Sequence, residues 1–177
     1  MQKILSLVLS LTVISAVCAG VLAYVNGLTK EPIGKMLVEK TVSAAKAVLP
    51  AAASSVEEAA FPGDAGEKYF VGKDASGNVV GYAVTGSAEG YGGAVVLMVG
   101  LEADKSTVVR YKAISAAETP GLGMKLNSPE FSGQFSGKGA SGLKVRKDGG
   151  DVEAITSATI TSRAVCGAIA AAAAKLK

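Results

Sequence analysis

The chain has 177 residues, with 18 Lys or Arg against 15 Asp or Glu, giving a net charge of +3. This length allows one modest soluble domain beside a membrane anchor, since domains of about 100–150 residues are the usual unit. The net charge is mild and the basic residues are spread out, without the aromatic interleaving that stacks bases, which argues against nucleic-acid binding. Histidine is absent and only two cysteines occur. The sequence therefore predicts no metal site and no disulfide framework, so redox chemistry would need an organic cofactor.

An uncharged apolar segment runs from Ile4 to Val25. At about 1.5 Å per residue, it is long enough to cross a hydrocarbon core of about 30 Å. One alternative is a cleaved signal peptide with its processing site at Val17-Cys18-Ala19, and Cys18 also raises a lipoprotein signal. Because the apolar run continues to Val25, we expect a retained, single-pass transmembrane helix.

The flanking charges predict the orientation of that helix. Lys3 and the α-amino group lie close to one end, whereas Lys30 at the other end is followed by Glu31. The bias of basic residues places the N-terminus in the cytoplasm. We expect the soluble domain on the extracytoplasmic side of the cell (inner) membrane.

The rest of the chain predicts an α+β fold. Residues 1–28 form the transmembrane anchor, 29–66 a helical connector and 67–177 the soluble domain. Within the connector, Pro32 is typical of an early helical position and Pro50 of a helix end. Residues 51–66 mix Ala, Ser, acidic residues, Pro and Gly, which indicates a linker with a short helix.

Four strands follow, joined by short turns. They are rich in Val, Tyr and Phe and predict an antiparallel sheet in which the apolar run Val95 to Val99 is covered on both faces by helices, one of them C-terminal. A short helix is expected near 129–135, and a hairpin from 143–146 and 152–155. The predicted strands are Lys68 to Lys73, Val79 to Thr85, Ala94 to Leu101 and Ser106 to Ile114.

Hydroxyl residues precede the alanine-rich C-terminal helix, in the run Thr156-Ser157-Ala158-Thr159. A helix N-terminus binds anions because its first N–H groups are unpaired and the macrodipole adds positive charge there. The plain alternative is that these residues only cap the helix. A second irregular segment, Glu118-Thr119-Pro120-Gly121-Leu122-Gly123, cannot be helix or strand, and by spacing alone it is a simple turn.

Together with the anchor and the turn at Gly90 to Gly93, these two motifs resemble the G subunit of Rnf electron-transport complexes. More broadly, they resemble the covalent FMN-binding domain shared with the C subunit of sodium-translocating NADH:quinone reductases. The family motif is Ser/Thr-Gly-Ala-Thr, and its last threonine carries FMN through a phosphodiester. The resemblance implies covalent FMN on Thr159, with Thr156, Ser157 and Ala158 beside it and the Glu118 to Gly123 loop against the flavin. Ser157 replaces the family's glycine, and Glu153 its usual aspartate.

The resemblance also implies a function. The chain would be a membrane-bound flavoprotein that relays electrons inside a ferredoxin:NAD oxidoreductase coupled to ion transport, with no active site of its own. Its partners would be the other membrane subunits of the Rnf complex and, during maturation, a flavin transferase that uses FAD and magnesium. The alternatives are the quinone-reductase C subunit and a non-flavinylated anchored scaffold in which Thr159 is only a cap.

Overall fold

The computed structural model describes residues 2–61 and 67–177. The chain divides into two compact units, one ending at Glu39 and one running from Lys40 to Lys177. Helix α1, Gln2–Val48, begins in the first unit and ends in the second. Among the described residues, α1 is the one helix that is long and apolar enough to cross a membrane. It contains the predicted span from Ile4 to Val25, whose large apolar side chains are exposed.

Pro32 lies inside α1, so the predicted start of a second helix at this position is wrong. The proline ring fixes φ near the helical value, and the residue removes one main-chain hydrogen bond. Because α1 has many helical residues on both sides of Pro32, the helix continues through the proline with the loss of that hydrogen bond. Only the last turns of α1 are buried, at Ala44, Ala45 and Val48.

The second unit, Lys40 to Lys177, contains the predicted soluble domain and is called the soluble unit below. It contains a five-stranded antiparallel sheet in which the strands lie side by side in chain order. The four predicted strands are present, and a fifth precedes them in the segment expected to be a linker with a short helix. That expectation is wrong for residues 55–60, whose Ser-Val-Glu-Glu-Ala-Ala sequence has little strand character but pairs along its whole length with the next strand. Within the same segment, residues 62–66 lie outside the described residues. The strands are β1 Ser55–Ala60, β2 Lys68–Lys73, β3 Val79–Glu89, β4 Ala94–Glu102 and β5 Val108–Ser115.

Both faces of the sheet are covered, as the apolar β4 sequence predicts. The C-terminal helix α3, Thr159–Ala174, packs on β3 and β4 on one face. On this side Val84, Leu97 and Val99 join a core with the alanines and Ile169 of α3. On the opposite face, Ala83 and Met98 pack with the last turns of α1.

The segment between β5 and α3 is mostly irregular. A 3-10 helix at Gly123–Asn127, helix α2 at Pro129–Ser132 and a second 3-10 helix at Gly133–Phe135 include the helix expected near 129–135. The hairpin predicted from 143–146 and 152–155 is wrong. Residues Arg146–Asp148 form a 3-10 turn ended by Gly149 at a φ of 81°, and the returning chain makes one parallel bridge between Val145 and Val152. The return then leads directly into α3.

Candidate functional site

The Glu118 to Gly123 loop, the turn after β3 and the first turn of α3 meet around one pocket of 540 Å³. The hydrogen bonds that join these segments link residues 27 and 43 positions apart in the sequence. The pocket is of the size that small organic ligands occupy, which is about 300–1,000 Å³. It is lined by Tyr91, Glu118, Thr119, Leu122, Gly123, Ser157, Ala158, Thr159, Ile160 and Thr161.

Thr159 is the first residue of α3 and is half-buried in the pocket wall. The capping position is Ala158, and no side chain caps the helix. Within the described residues the Thr159 hydroxyl has no hydrogen-bond partner. The interpretation of Thr159 as a helix cap is therefore wrong, and its hydroxyl is available at the pocket.

The start of α3 also presents unpaired main-chain donors. The first helical hydrogen bond runs from the Ser162 N–H to the Ala158 carbonyl, at 3.0 Å. The N–H groups of Thr159, Ile160 and Thr161 find no acceptor among the described residues. Together with the macrodipole, they make this end of the pocket attractive to a phosphate group.

The turn before α3 is held by the side chain of Ser162, which is fully buried. Its hydroxyl donates to the Ala158 carbonyl at 2.9 Å and accepts from the Ile155 N–H at 3.0 Å. Within this turn Ser157 has a φ of +64°. That left-handed conformation costs an L-residue about 1 kcal/mol or more. It explains why a glycine suits this position, and Ser157 adopts the same backbone with an exposed side chain.

Glu118 is buried, at 7% exposed, and its carboxylate joins the three segments. Its Oε1 accepts from the Tyr91 N–H and its Oε2 from the Thr161 hydroxyl, each at 2.9 Å. Gly123 makes room for it, because a Cβ at that position would lie 2.4 Å from Glu118 Oε2. Gly123 is therefore required by the packing of Glu118, whichever ligand the pocket takes.

The remainder of the loop forms a tight turn in which the Leu122 N–H donates to the Thr119 carbonyl at 3.2 Å. Gly121 has a φ of +76° at the third position of this turn, which fits a type II geometry. No atom lies within 4 Å of a Cβ built there. Gly121 thus serves the backbone of the turn. Of the residues singled out from the sequence, Thr156, Pro120 and Gly121 do not line the pocket, whereas the others do.

Three lining residues were not predicted as site residues, although Tyr91 lies in the Gly90 to Gly93 turn that contributes to the resemblance. They are Tyr91, Ile160 and Thr161. Tyr91 is 73% exposed, Ile160 48% and Leu122 43%. These three side chains form the apolar lip of the pocket, one from each segment. An isolated tyrosine between glycines and an isoleucine among hydroxyl residues are the sequence features that could have indicated them.

An ion pair links the N-terminal half of α3 to the 3-10 helix at Arg146–Asp148. Arg163 donates from Nε and Nη2 to the two carboxylate oxygens of Asp148, each at 2.7 Å. This bidentate contact holds the pKa of Asp148 below its ordinary value, chiefly through the hydrogen bond from Arg163. The pair fixes the start of α3 against the preceding turn.

The described residues contain no cluster of His, Cys, Asp and Glu that could hold a metal ion. Cys166 lies in the core on α3, and burial raises the pKa of its thiol to about 11. A thiol held in its protonated form is a poor nucleophile and a poor ligand.

Comparison with known proteins identifies the family. The FMN-binding domain family matches residues 90–174, a range that contains every residue lining the pocket. The G subunit of the ion-translocating oxidoreductase complex of Methanosarcina acetivorans is 36% identical over 95% of this chain and 92% of its own length. The G subunit of the Na⁺-translocating ferredoxin:NAD⁺ oxidoreductase complex of Acetobacterium woodii is 38% identical over 93% of this chain and 87% of its own.

The chain belongs to the Rnf G-subunit family. The resemblance inferred from the two motifs is thereby confirmed, as is the predicted α+β fold. The crystal structure of Shewanella oneidensis NqrC is similar with a TM-score of 0.51 and 25% identity, covering 67% of this chain and 64% of that one. The C subunit of the Na⁺-translocating NADH-quinone reductase from Parabacteroides distasonis has a TM-score of 0.53, 24% identity and coverage of 71% and 77%, and it shares the fold. Membership in the G-subunit family and the long apolar helix α1 indicate a membrane-anchored component of a multi-subunit, ion-translocating complex.

Proposed function

We propose that the chain is the electron-transfer subunit of an Rnf-type ion-translocating ferredoxin:NAD oxidoreductase, with FMN linked by a phosphodiester to Thr159. The observation that carries the proposal is the Thr159 hydroxyl, which has no hydrogen-bond partner in the described chain and lies in the pocket at the unpaired start of α3. The capping position is held by Ala158, so the Thr159 hydroxyl is not used to cap the helix.

The other residues of the pocket fit the parts of FMN. The free N–H groups of Thr159, Ile160 and Thr161 suit a phosphate, and the phosphodiester's single negative charge is favoured at a helix N-terminus by about 0.3–1 kcal/mol. The apolar lip of Tyr91, Leu122 and Ile160 offers flat and aliphatic surfaces to a ring system. The pocket volume of 540 Å³ lies within the range for cofactor sites.

When bound, FMN supplies the capacity to accept and pass on electrons, and the chain binds, orients and shields it. No glycine-rich dinucleotide motif follows a strand in the sequence. This supports a relay role, in which neighbouring subunits bind ferredoxin and NAD.

Attachment of the cofactor requires a second protein. A threonine hydroxyl is a poor nucleophile at neutral pH and the sequence has no histidine to activate it. We therefore assign the reaction to a flavin transferase that acts in trans, in which the Thr159 oxygen bonds to the FMN phosphorus of FAD, the diphosphate bond breaks and AMP leaves. Thr156 and Ser157 are exposed beside Thr159, which leaves this side of the motif open to such an enzyme.

The soluble unit is assigned to the extracytoplasmic side of the membrane. Lys3 precedes the apolar span and outweighs the mixed pair Lys30 and Glu31 after it, which favours a cytoplasmic N-terminus. On that side free flavin from the cytoplasm is out of reach, so a covalent bond retains the cofactor. The other membrane subunits of the complex are the partners.

The structural likeness to NqrC keeps the quinone-reductase C subunit as the alternative assembly. The two Rnf-type relatives match at 36% and 38% identity and over most of their own length, against 25% for NqrC, and this favours the Rnf assignment. A non-flavinylated scaffold is the remaining alternative.

Flavin fluorescence of the denatured protein distinguishes a covalent flavoprotein from a scaffold. The full chain is produced with its flavin transferase, denatured and separated by electrophoresis. Only a covalently bound flavin stays with the polypeptide, so the proposal predicts a fluorescent band at the mass of the chain. A band without fluorescence contradicts the proposal. The control is a known flavinylated protein in the same culture, which must carry covalent flavin.

A further inference from the structure

Glu118 is unusual because it adds a negative charge to the wall of a pocket in which the start of α3 suits a phosphate. Its carboxylate is buried, lines the pocket and accepts a hydrogen bond from the Thr161 hydroxyl in the first turn of α3. Both of its oxygens are occupied, the other by the Tyr91 N–H. The positive end of α3 thus already faces a fixed anion that belongs to the protein.

We propose that Glu118 makes the pocket selective for attached over free FMN, by repelling a phosphate that is not covalently bound. The proposal rests on the proposed function, in that the pocket takes the phosphate of FMN. It assigns to Glu118 the role of a specificity-determining residue, in addition to its packing role between the three segments.

The charges of the two forms of the cofactor support this role. Free FMN carries a phosphate monoester with a charge of about −1.5 to −2 near neutral pH. The phosphodiester on Thr159 would carry a single negative charge. A buried carboxylate therefore repels the free form more strongly, while the covalent bond holds the attached form in spite of the remaining repulsion.

The size of the effect follows from Coulomb's law. At an effective dielectric constant of about 20, two unit charges separated by roughly 12 Å or less interact strongly enough to change an affinity about tenfold. Glu118, Thr159 and Thr161 all line the same 540 Å³ pocket. Screening by salt is weak for a buried group.

The biological consequence is that the unmodified protein keeps an open pocket. A protein that bound free FMN tightly would present an occupied site to the flavin transferase. With Glu118 in place, the phosphate enters only as part of the transfer reaction, and the Thr159 hydroxyl stays accessible until then.

The test uses the full chain in detergent, purified from a host without flavin transferase. FMN and riboflavin are titrated into the wild type, Glu118→Gln and Glu130→Gln, and binding is followed by quenching of flavin fluorescence. Glutamine keeps the size of Glu118, and it can accept from the Tyr91 N–H while donating to the Thr161 hydroxyl. Glu130 is exposed on α2 outside the pocket and provides the same change of charge.

We expect Glu118→Gln to bind FMN about tenfold or more tightly than the wild type, with riboflavin affinity changed by less than about twofold. Glu130→Gln should match the wild type for both ligands. An FMN affinity of Glu118→Gln equal to that of the wild type, including no detectable binding by either, overturns the proposal. So does an equal gain for FMN and riboflavin, which would indicate repacking of the pocket.

A comparison within the wild type covers the case in which the variant does not fold. If Glu118 repels the phosphate, the wild type binds riboflavin at least as tightly as FMN despite the free N–H groups of α3. Preference for FMN by about tenfold contradicts the proposal. Because no transferase is present, these outcomes are independent of whether Thr159 is modified in the maturation test.

Discussion

The Thr161 hydroxyl donates a 2.9 Å hydrogen bond to Glu118 Oε2. Thr161 is 1% exposed and Glu118 is 7% exposed, so water does not compete effectively for this contact. The bond joins the first turn of α3 to the loop that follows β5, and it defines the distance between two walls of the pocket.

The first prediction concerns this bond. Thr161→Val keeps the shape of the side chain but leaves one oxygen of a buried carboxylate without its donor, which costs about 1–3 kcal/mol. We expect the free energy of unfolding of the full chain in detergent, measured by chemical denaturation and circular dichroism, to fall by that amount. Thr161→Ser retains the hydroxyl and should lose clearly less. Equal losses for the two variants would show that the methyl group, and not the hydrogen bond, matters at this position.

The second prediction concerns Gly123. In Gly123→Ala the new methyl group would lie 2.4 Å from Glu118 Oε2 and 2.8 Å from Glu118 Cβ, so the carboxylate must move. We expect a loss of about 1–3 kcal/mol in stability, and Gly123→Val should in addition shift the absorbance of the attached flavin while the adduct remains.

Gly133→Ala is the matched control for that substitution. Gly133 has helical backbone angles, with φ of −63° and ψ of −21°, and nothing lies within 4 Å of an added Cβ. Gly133→Ala should leave the flavin spectrum unchanged and stabilise the fold by about 0.4–1 kcal/mol. If stability and the flavin spectrum were unchanged in both Gly123 variants, the Glu118 side chain would not lie against Gly123.

The third prediction concerns the backbone strain at Ser157. Its φ of +64° costs an L-residue about 1–2 kcal/mol, and glycine relieves this while adding freedom to the unfolded chain. We expect Ser157→Gly to raise the free energy of unfolding by about 0.5 kcal/mol. Ser76→Gly, at an exposed turn position without positive φ, should lower it slightly. A loss of stability in both variants would mean that the Ser157 side chain contributes more than the strain costs.

The sequence predicted β2 to β5 and α3 because their apolar periodicity and turn residues are strong. β1 was missed because its alanines and glutamates favour no strand by themselves, and it forms only by pairing with β2. The hairpin after Leu143 was wrong because the charged 3-10 turn and Gly149 direct the returning chain into a parallel bridge, which no local pattern encodes.

The site was predictable to a similar degree. The motif that ends at Thr159 could be recognised as a short linear pattern with its own chemistry. The contacts of Glu118 with Tyr91 and Thr161 could not, because they join residues 27 and 43 positions apart and depend on how the sheet and α3 pack. Tyr91 and Ile160 could not be predicted as lining residues of the pocket because this also depends on how the sheet and α3 pack.

The fourth prediction concerns topology. Ser76 is exposed in the turn between β2 and β3 and suits a single reporter cysteine. In a Cys18→Ala, Cys166→Ala background, we expect Ser76→Cys in intact cells or spheroplasts to react with a membrane-impermeant maleimide, because the charge bias places residues after about Thr29 outside. Reaction only after the membrane is broken would place the soluble unit, and Thr159 with it, in the cytoplasm.

Mass analysis of the mature protein determines whether Thr159 carries FMN. The full chain made with its flavin transferase should show one FMN adduct, located by peptide mapping to Thr159. Thr159→Ala should lack the adduct, whereas Thr156→Ala should retain it, since Thr156 is exposed and outside the pocket. An adduct that persists in Thr159→Ala, or an unmodified wild type under conditions that modify another substrate of the transferase, would show that Thr159 does not carry the cofactor.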